Sequence, residues 1–153
     1  MSDLQRDVER LHARYVHALD TDQLEQWPNF FTQNGRYRIA TAENEARGLP
    51  IPVLYCEGRP MLRDRIASLR HANIYEPQRY RHILSAVLID PEGASLVKSV
   101  ANFLVIRIME NGEAQLFASG RYVDRIALPE LRYEERVVIC DSRRFDTLLA
   151  IPL

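Results

Sequence analysis

Residues 80–126 read YRHILSAVLIDPEGASLVKSVANFLVIRIMENGEAQLFASGRYVDRI, and this stretch decides the fold. Side chains alternate with a period of two in 80–89, and long β-forming runs return in 96–109 and 116–126, as expected for strands. The pair Asn111-Gly112 favours a two-residue hairpin, and 90–93 (DPEG) predicts a turn. The stretch therefore predicts three antiparallel strands, and Pro129-Glu130 turns the chain into a fourth strand at 131–141.

The first of these strands has two distinct rows of side chains. Both rows are largely apolar, so we expect a long strand that is buried on much of both faces. One row holds Tyr80, His82, Leu84, Ala86 and Leu88, and the other holds Arg81, Ile83, Ser85, Val87 and Ile89.

Helical patterns precede the strands. Residues Leu4, Val8, Leu11, Tyr15 and Leu19 follow each other at spacings of four, three, four and four, which predicts an amphipathic helix. Asp20 then offers an N-cap for a short second helix, which Pro28 should kink or split. A short strand follows at 36–40, a long excursion without regular structure spans 41–58, and a third helix begins at Pro60. Helices followed by a strand meander predict an α+β fold, in which a strongly curved sheet closes around the helices like a cone.

Composition limits the possible functions. The 153 residues are 46% apolar, enough for one core, so we expect a single domain over 1–153. A net charge of −1, from 20 basic and 21 acidic residues, predicts binding neither to nucleic acid nor to an anionic membrane surface. No apolar run approaches the roughly 20 residues of a membrane helix. Cys56 and Cys140 are isolated from each other, which suggests the reducing cytoplasm.

The sequence offers no metal ligands at a recognisable spacing. His12 and His17 lie about 140° apart around a helix, so they cannot share a metal ion. A Rieske cluster needs two Cys–His pairs, and neither Cys56 nor Cys140 is followed by a histidine two or three residues later. We therefore expect no cofactor and no metal in this chain, and any iron chemistry would reside in another chain.

An acid–base site is the competing hypothesis. His82, Asp20, Tyr15 and Tyr37 could meet at a shared cavity in the mouth of the cone, where they would suit a proton transfer or a dehydration. His82 and Asp20 would be the central pair of such an isomerase or dehydratase. Alternatively, His82 is a hydrogen-bonded packing residue and Asp20 caps the second helix.

Two segments have the composition of a protein interface. Arginine and aromatic residues, which are enriched at such interfaces, occur together around Arg79. The excursion at 41–58 would expose an apolar patch unless a partner covers it. The candidate interface residues are Tyr75, Arg79, Tyr80 and Arg81 in the first segment and Ile51, Val53, Leu54 and Tyr55 in the second.

Four runs of the sequence resemble a known family. They are YVHALDTDQLEQWPNFFTQNGRYRI (15–39), MLRDRIASLRHANIYEPQRYRHIL (61–84), RIMENGEAQLFASGRYVD (107–124) and CDSRRFDTLLAIPL (140–153). Together they resemble the β (small) subunits of Rieske-type aromatic-ring-hydroxylating dioxygenases, and the likeness extends over nearly the whole chain. It implies the cone-shaped fold of nuclear transport factor 2 (NTF2-like), shared with ketosteroid isomerase and scytalone dehydratase.

The resemblance also implies partners and a reaction. The β subunits form a trimeric base in an α3β3 hexamer, in which the large (α) subunit holds a [2Fe-2S] Rieske cluster and a mononuclear iron(II). Electrons arrive from an NAD(P)H-dependent reductase, and both atoms of O2 enter an aromatic carboxylate. Terephthalate is the first candidate substrate, with salicylate and anthranilate as alternatives. The family has no catalytic motif in its β subunit, so the resemblance transfers no catalytic residue.

Overall fold

The computed structural model describes residues 2–49, 51–72, 77–142 and 151–153. The chain combines helices in its first half with long strands in its second half, which confirms the predicted α+β class. The elements are α1 (Asp3–Asp20), a 3₁₀ helix (Leu24–Phe30), β1 (Phe31–Thr41), α2 (Ala42–Ala46), β2 (Leu54–Glu57), α3 (Gly58–Ala72), β3 (Gln78–Glu92), β4 (Leu96–Met109), β5 (Ala114–Ala127) and β6 (Arg132–Cys140).

The strands form one curved six-stranded sheet in the order β2-β1-β6-β5-β4-β3. The sheet does not close, because β2 and β3 remain as its two edges, and α1 and α3 pack against it. All neighbouring pairs are antiparallel except β1 and β6, which are parallel. This parallel pair is possible because a long connection, containing the other strands, separates β1 from β6. None of the described helices is both long and apolar enough to cross a membrane.

A β-bulge divides β3 into two halves, and the row of side chains that faces the core changes at the bulge. Leu84 pairs with Phe103 and Val87 with Ala101, so Ser85 and Ala86 together oppose one residue, Asn102. The Ser85 hydroxyl accepts a 2.9 Å hydrogen bond from the Asn102 amide, which stabilises the irregularity.

The predicted single alternation along β3 is therefore wrong. Tyr80 and His82 are buried before the bulge, whereas Val87 is buried after it and Leu88 is 75% exposed. The prediction that this strand is buried on both faces is also wrong for the chain without a partner, because Ile83 is 51% exposed. One inserted residue exchanges the two faces of a strand, and the alternation of apolar residues does not reveal it.

Several predicted boundaries also need correction. The first strand is longer than 36–40 and begins at Phe31, and the second helix is a 3₁₀ helix that contains Pro28. The excursion at 41–58 contains α2 and β2, and the register pairs Arg38 with Tyr55. β3 runs through Glu92, so most of the predicted 90–93 turn belongs to a strand. Backbone pairing of β2 with β1 gives the excursion a regular structure that its pattern of apolar residues does not predict.

Helix α1 packs along the edge of β3 that has no neighbouring strand. The Gln5 side-chain amide donates to the Val87 carbonyl at 2.7 Å, and the His82 amide donates to the Asp20 carboxylate at 2.9 Å. An unpaired strand edge is prone to pairing with other chains, and side chains of an adjoining helix satisfy these edge groups. The first contact holds the N-terminal end of α1 against β3, and the second holds its C-terminal end next to His82.

Candidate functional site

The interior of the cone contains a buried ion pair. Asp124 on β5 accepts from the Arg136 guanidinium on β6 at 2.8 and 3.0 Å, and both side chains are fully buried. The guanidinium carbon lies 4.3, 3.7 and 4.2 Å from the ring centroids of Tyr15, Tyr122 and Tyr133. Three aromatic faces thus stabilise the cation in addition to its carboxylate partner.

His12 on α1 connects this pair to the rest of the core. Its Nδ1 atom lies 2.6 Å from the Tyr133 hydroxyl and 3.1 Å from an Arg136 nitrogen, which are both donors. Nδ1 is therefore the acceptor, and the proton lies on Nε2, 2.9 Å from the Ser99 hydroxyl. Burial and the Arg136 charge hold the pKa of His12 well below its usual value, so the imidazole is neutral.

This buried network is suited to holding structure rather than to catalysis. Burial raises the pKa of Tyr15 to about 12 and that of Tyr133 well above its usual value, so neither phenol ionises near neutral pH. The side chains of His12 and Asp124 have almost no contact with solvent. The network therefore offers no accessible group to a substrate, and no local pattern in the sequence predicts it, because its members lie far apart along the chain.

Asp20 and His82 form a second polar pair at the end of α1. The Asp20 carboxylate accepts from His82 Nδ1 at 2.6 Å and from the His82 amide at 2.9 Å. His82 Nε2 is buried and has no hydrogen-bond partner among the described residues. The prediction that Asp20 caps the second helix is wrong, because that helix begins after Gln23 and has no side-chain cap.

The predicted acid–base set is only partly brought together. Asp20 holds His82, but Tyr15 and Tyr37 both donate to the main-chain oxygen of Leu153. Tyr15 and Tyr37 are fully buried. The structure thus uses the two phenols to hold main-chain atoms, and their hydroxyls do not form an open acid–base site with Asp20 and His82.

A cavity of about 510 Å³ lies between the end of α1 and the start of β3, where Asp20 and Tyr80 form part of its wall. Arg70 of α3 contributes to the same wall and donates to Asp22 and Glu25 at distances of 2.7 to 3.1 Å. These contacts tie α3 to the turn after α1 and to the 3₁₀ helix, and the guanidinium offsets part of the charge of the two carboxylates. Across the described residues, no three His, Cys, Asp or Glu side chains are grouped to hold a metal ion.

The predicted interface residues are distributed between two surfaces and the core. Ile51, Val53 and Tyr55 are exposed, whereas Leu54 is half-buried and packs against the core. With the exposed Leu49 they form the excursion patch, which we define as Leu49, Ile51, Val53 and Tyr55.

The second surface lies on the outer face of the sheet. Arg79 and Arg81 are exposed there, and Arg81, Ile106 and Leu116 are neighbours across three strands. We define the outer patch as Arg79, Arg81, Ile83 and Leu116. Tyr80 is only 2% exposed and faces the core, so its side chain does not join this patch. Tyr75 lies outside the described residues.

The chain matches the SnoaL-like domain family over residues 2–130. It is 43% identical to the terephthalate 1,2-dioxygenase terminal oxygenase component subunit beta 1 of a Comamonas species, over 95% of this chain and 96% of that protein. It is 40% identical to the anthranilate 1,2-dioxygenase small subunit of Burkholderia cepacia, over 96% and 92%.

A solved structure gives a similar result. The beta subunit of a proposed aromatic-ring-hydroxylating dioxygenase from Novosphingobium aromaticivorans superimposes with a TM-score of 0.90 at 35% identity. The match covers 98% of this chain and 97% of that one. The match covers nearly the full length of both chains. It therefore includes the whole sheet and the helices packed against it.

Proposed function

Because the chain belongs to the SnoaL-like family and, within it, to the small subunits of aromatic-ring-hydroxylating dioxygenases, we propose that it is a non-catalytic assembly subunit of a terminal oxygenase. In this role it would bind a large subunit that holds a [2Fe-2S] Rieske cluster and a mononuclear iron(II). The proposal rests on the near full-length identity to the two dioxygenase small subunits. The buried polar network around Arg136 and Asp124 is closed to solvent, which is consistent with such a role.

The proposed assembly is an α3β3 hexamer. A ring of three identical chains uses head-to-tail contacts, so each chain must present two different patches to its neighbours and a further surface to the large subunit. The excursion patch is exposed and apolar, and the outer patch combines two arginines with the exposed apolar side chains of Ile83 and Leu116, so these two separate surfaces meet part of this requirement. Exposed apolar side chains that lie near one another often mark a protein interface, which supports coverage of both patches in the complex.

The proposed reaction belongs to the complex. Two electrons from NAD(P)H, delivered through a separate reductase, and two protons accompany the addition of both oxygen atoms of O2 to the ring of an aromatic carboxylate. The product is a cis-dihydrodiol. Terephthalate is the first candidate substrate, and anthranilate or salicylate are the alternatives. The substrate pocket would lie in the large subunit, so the small chain would not decide between these acids. The complex would work in the cytoplasm.

Co-expression with the large subunit tests the proposal. We expect a complex with equal numbers of the two chains by light scattering, and iron in the complex but not in the small chain purified alone. Consumption of each of the three acids, measured with the reductase and NAD(P)H, would then identify the substrate. Stoichiometric iron in the isolated small chain, or a small chain that stays a monomer in the presence of the large subunit, would contradict this role.

A further inference from the structure

Strand β2 leaves one edge of the sheet open. The opposite edge, β3, is covered by α1, whose Gln5 and Asp20 side chains bond to the main chain of β3. Within the described part of the chain, no strand pairs with the outer side of β2. An open edge presents main-chain donors and acceptors with which another extended chain can pair. The edge of β2 is therefore available to the main chain of a partner.

The hydrogen bonds around β2 indicate which of its main-chain groups point outward. The Glu57 amide donates to the sulfur of Met61 at 3.3 Å and therefore does not bond to β1. Residues of an antiparallel pair alternate between bonding to the partner strand and pointing away from it. Leu54 and Cys56 thus bond to β1, and the N–H and C=O of Tyr55 point away from the sheet. Neither of these two groups bonds to a described residue.

A cavity of about 530 Å³, the edge cavity, lies beside Tyr55. Leu49, Pro52 and Tyr55 give it an apolar wall. Arg38, which lies opposite Tyr55 on β1, forms an ion pair with Glu45 in the same wall, so these two charges offset each other. On an added strand, the residue opposite Tyr55 would have its side chain on the same face of the sheet as Tyr55, next to this cavity. The edge cavity therefore suits an apolar side chain of such a strand.

Glu57 adds a negative charge to the same edge. Its carboxylate accepts from the Tyr55 hydroxyl at 3.2 Å, so both side chains lie on one face. Arg36 lies opposite Glu57 on β1 but is paired with Glu135 at 3.2 Å instead. Glu57 thus has no ion-pair partner among the residues that the structure describes. Charge complementarity favours a partner that places a lysine or arginine beside it.

We propose that an extended segment of the large subunit adds to β2 as a further strand, with an apolar side chain in the edge cavity and a lysine or arginine beside Glu57. The added strand would exchange a pair of main-chain hydrogen bonds with Tyr55. Main-chain pairing would supply affinity, and the edge cavity and Glu57 would select the segment. This inference rests on the proposed function, because it assigns one contact of the assembly.

A second copy of this chain fits the edge less well. Two β2 strands paired about Tyr55 would place Val53, and no cation, opposite each Glu57. Such a pair is also a closed two-fold unit, whereas the proposed hexamer needs a ring of three small chains. Charge and symmetry therefore both favour the large subunit as the occupant.

Hydrogen–deuterium exchange at single amides tests the proposal on the unaltered chain. The Tyr55 amide should exchange rapidly in the small chain alone, and about tenfold or more slowly in the complex with the large subunit, because it gains a hydrogen bond. The Cys56 amide already bonds to β1, so it should be protected in both states and is the internal control. Equally fast exchange of the Tyr55 amide in an intact complex would overturn this inference alone, whereas absence of a complex would overturn the proposed function as well.

Two substitutions at Tyr55 separate its N–H group from its side chain. Tyr55→Pro and Tyr55→Val both remove the ring, but only proline removes the donor. Proline is tolerated in an edge strand where the N–H points away from the sheet. We expect Tyr55→Pro to bind the large subunit about tenfold more weakly than Tyr55→Val, as for the loss of one hydrogen bond. Mass photometry of the diluted complexes measures both affinities, and equal values would contradict strand addition.

Glu57→Gln tests the predicted cation of the partner. This change should weaken binding by up to about fivefold at low salt and by less at high salt. Glu113→Gln, at an exposed carboxylate between β4 and β5, is the matched control. An unchanged affinity of the Glu57 variant would remove the lysine or arginine from the proposal. Light scattering of the small chain alone completes the test, since a dimer with a protected Tyr55 amide would assign the edge to a second copy and overturn the proposal.

Discussion

Asp20 and His82 illustrate how a single pair of residues can resemble a catalytic site and still have a structural role. The carboxylate accepts both the amide and the Nδ1 proton of the same histidine. It thereby fixes the end of α1 to the edge of β3. An acid–base catalyst would need to reach a substrate, but the His82 side chain has no exposed surface.

We predict that His82→Asn leaves the turnover of the assembled oxygenase almost unchanged. Asparagine retains a polar side chain near Asp20, while loss of a positioned acid–base group would cost about 10²- to 10⁴-fold in rate. Turnover is measured per mole of iron in the purified complex, so that a lower yield of assembly does not count as lower activity. His17→Asn, on the exposed side of α1, is the control. A loss of more than about a hundredfold at normal iron content would assign catalysis to His82.

His12 gives the buried network a dependence on pH. Its pKa in the folded chain lies well below that of an unfolded histidine, about 6.5, because of burial and the Arg136 charge. Below pH 6.5 the unfolded chain takes up a proton that the folded chain refuses. The stability contributed by neutral His12 is therefore present above pH 6.5 and is lost as the pH falls toward the folded pKa.

We predict that the free energy of unfolding of the wild type falls with acid more steeply than that of His12→Asn. The difference in slope should approach about 1.4 kcal/mol per pH unit below pH 6, which corresponds to one proton. Urea unfolding at several values between pH 5 and 7.5 measures both slopes. Parallel slopes for the two proteins would mean that His12 takes up a proton equally in the folded and in the unfolded chain.

Among the elements, the contact between β5 and β6 depends on a residue without a side chain. A Cβ atom at Gly120 would lie 1.9 Å from the carbonyl oxygen of Ile139, which is a main-chain atom. Gly120 also pairs with Cys140 at the end of β6. The two strands can relieve such a clash only by separating.

We predict that Gly120→Ala lowers the free energy of unfolding by about 3 kcal/mol or more, at the upper end of overpacking effects. The neighbouring variant Ser119→Ala is the control, because it removes only an exposed hydrogen bond to Asp141. Urea midpoints of the two variants make the comparison. A Gly120→Ala chain as stable as Ser119→Ala would mean that β5 and β6 are farther apart than described.

For the molecule as a whole, we expect surface chemistry rather than net charge to determine how the chain binds a partner. The net charge of −1 provides no long-range field for attraction. The outer patch instead combines two arginines with Ile83 and Leu116, and guanidinium groups beside apolar side chains are favourable at an interface core.

We predict that the double variant Arg79→Glu, Arg81→Glu fails to form the complex with the large subunit at micromolar concentration. Reversal of charge at a buried contact should cost a few kcal/mol of association free energy. Size-exclusion chromatography with light scattering measures the assembly. Arg10→Glu, Arg14→Glu reverses two exposed arginines of α1 and is the matched control. Normal assembly of the Arg79, Arg81 variant would remove the outer patch from the interface.

The amino-acid sequence alone determined the α+β class, the apolar stripe of α1, β4 from Leu96 to Met109 and the family. These features depend on neighbouring residues, through the period of the side chains and local turn chemistry. Tertiary structure decided which residues meet. It joined Asp20 to His82, His12 to Arg136, and Tyr37 to Leu153, which are 62, 124 and 116 residues apart.

The pairing of distant strands explains what the pattern could not predict. Asp124 lies in the inward row of β5 with Tyr122 and Ile126, which marks it as buried, but its partner on β6 follows only from the register. The bulge at Ser85 has the same origin, because it exists only relative to the facing Asn102. Local sequence sets the conformation of each element, whereas burial, register and the partners of polar groups depend on contacts that only the folded chain creates.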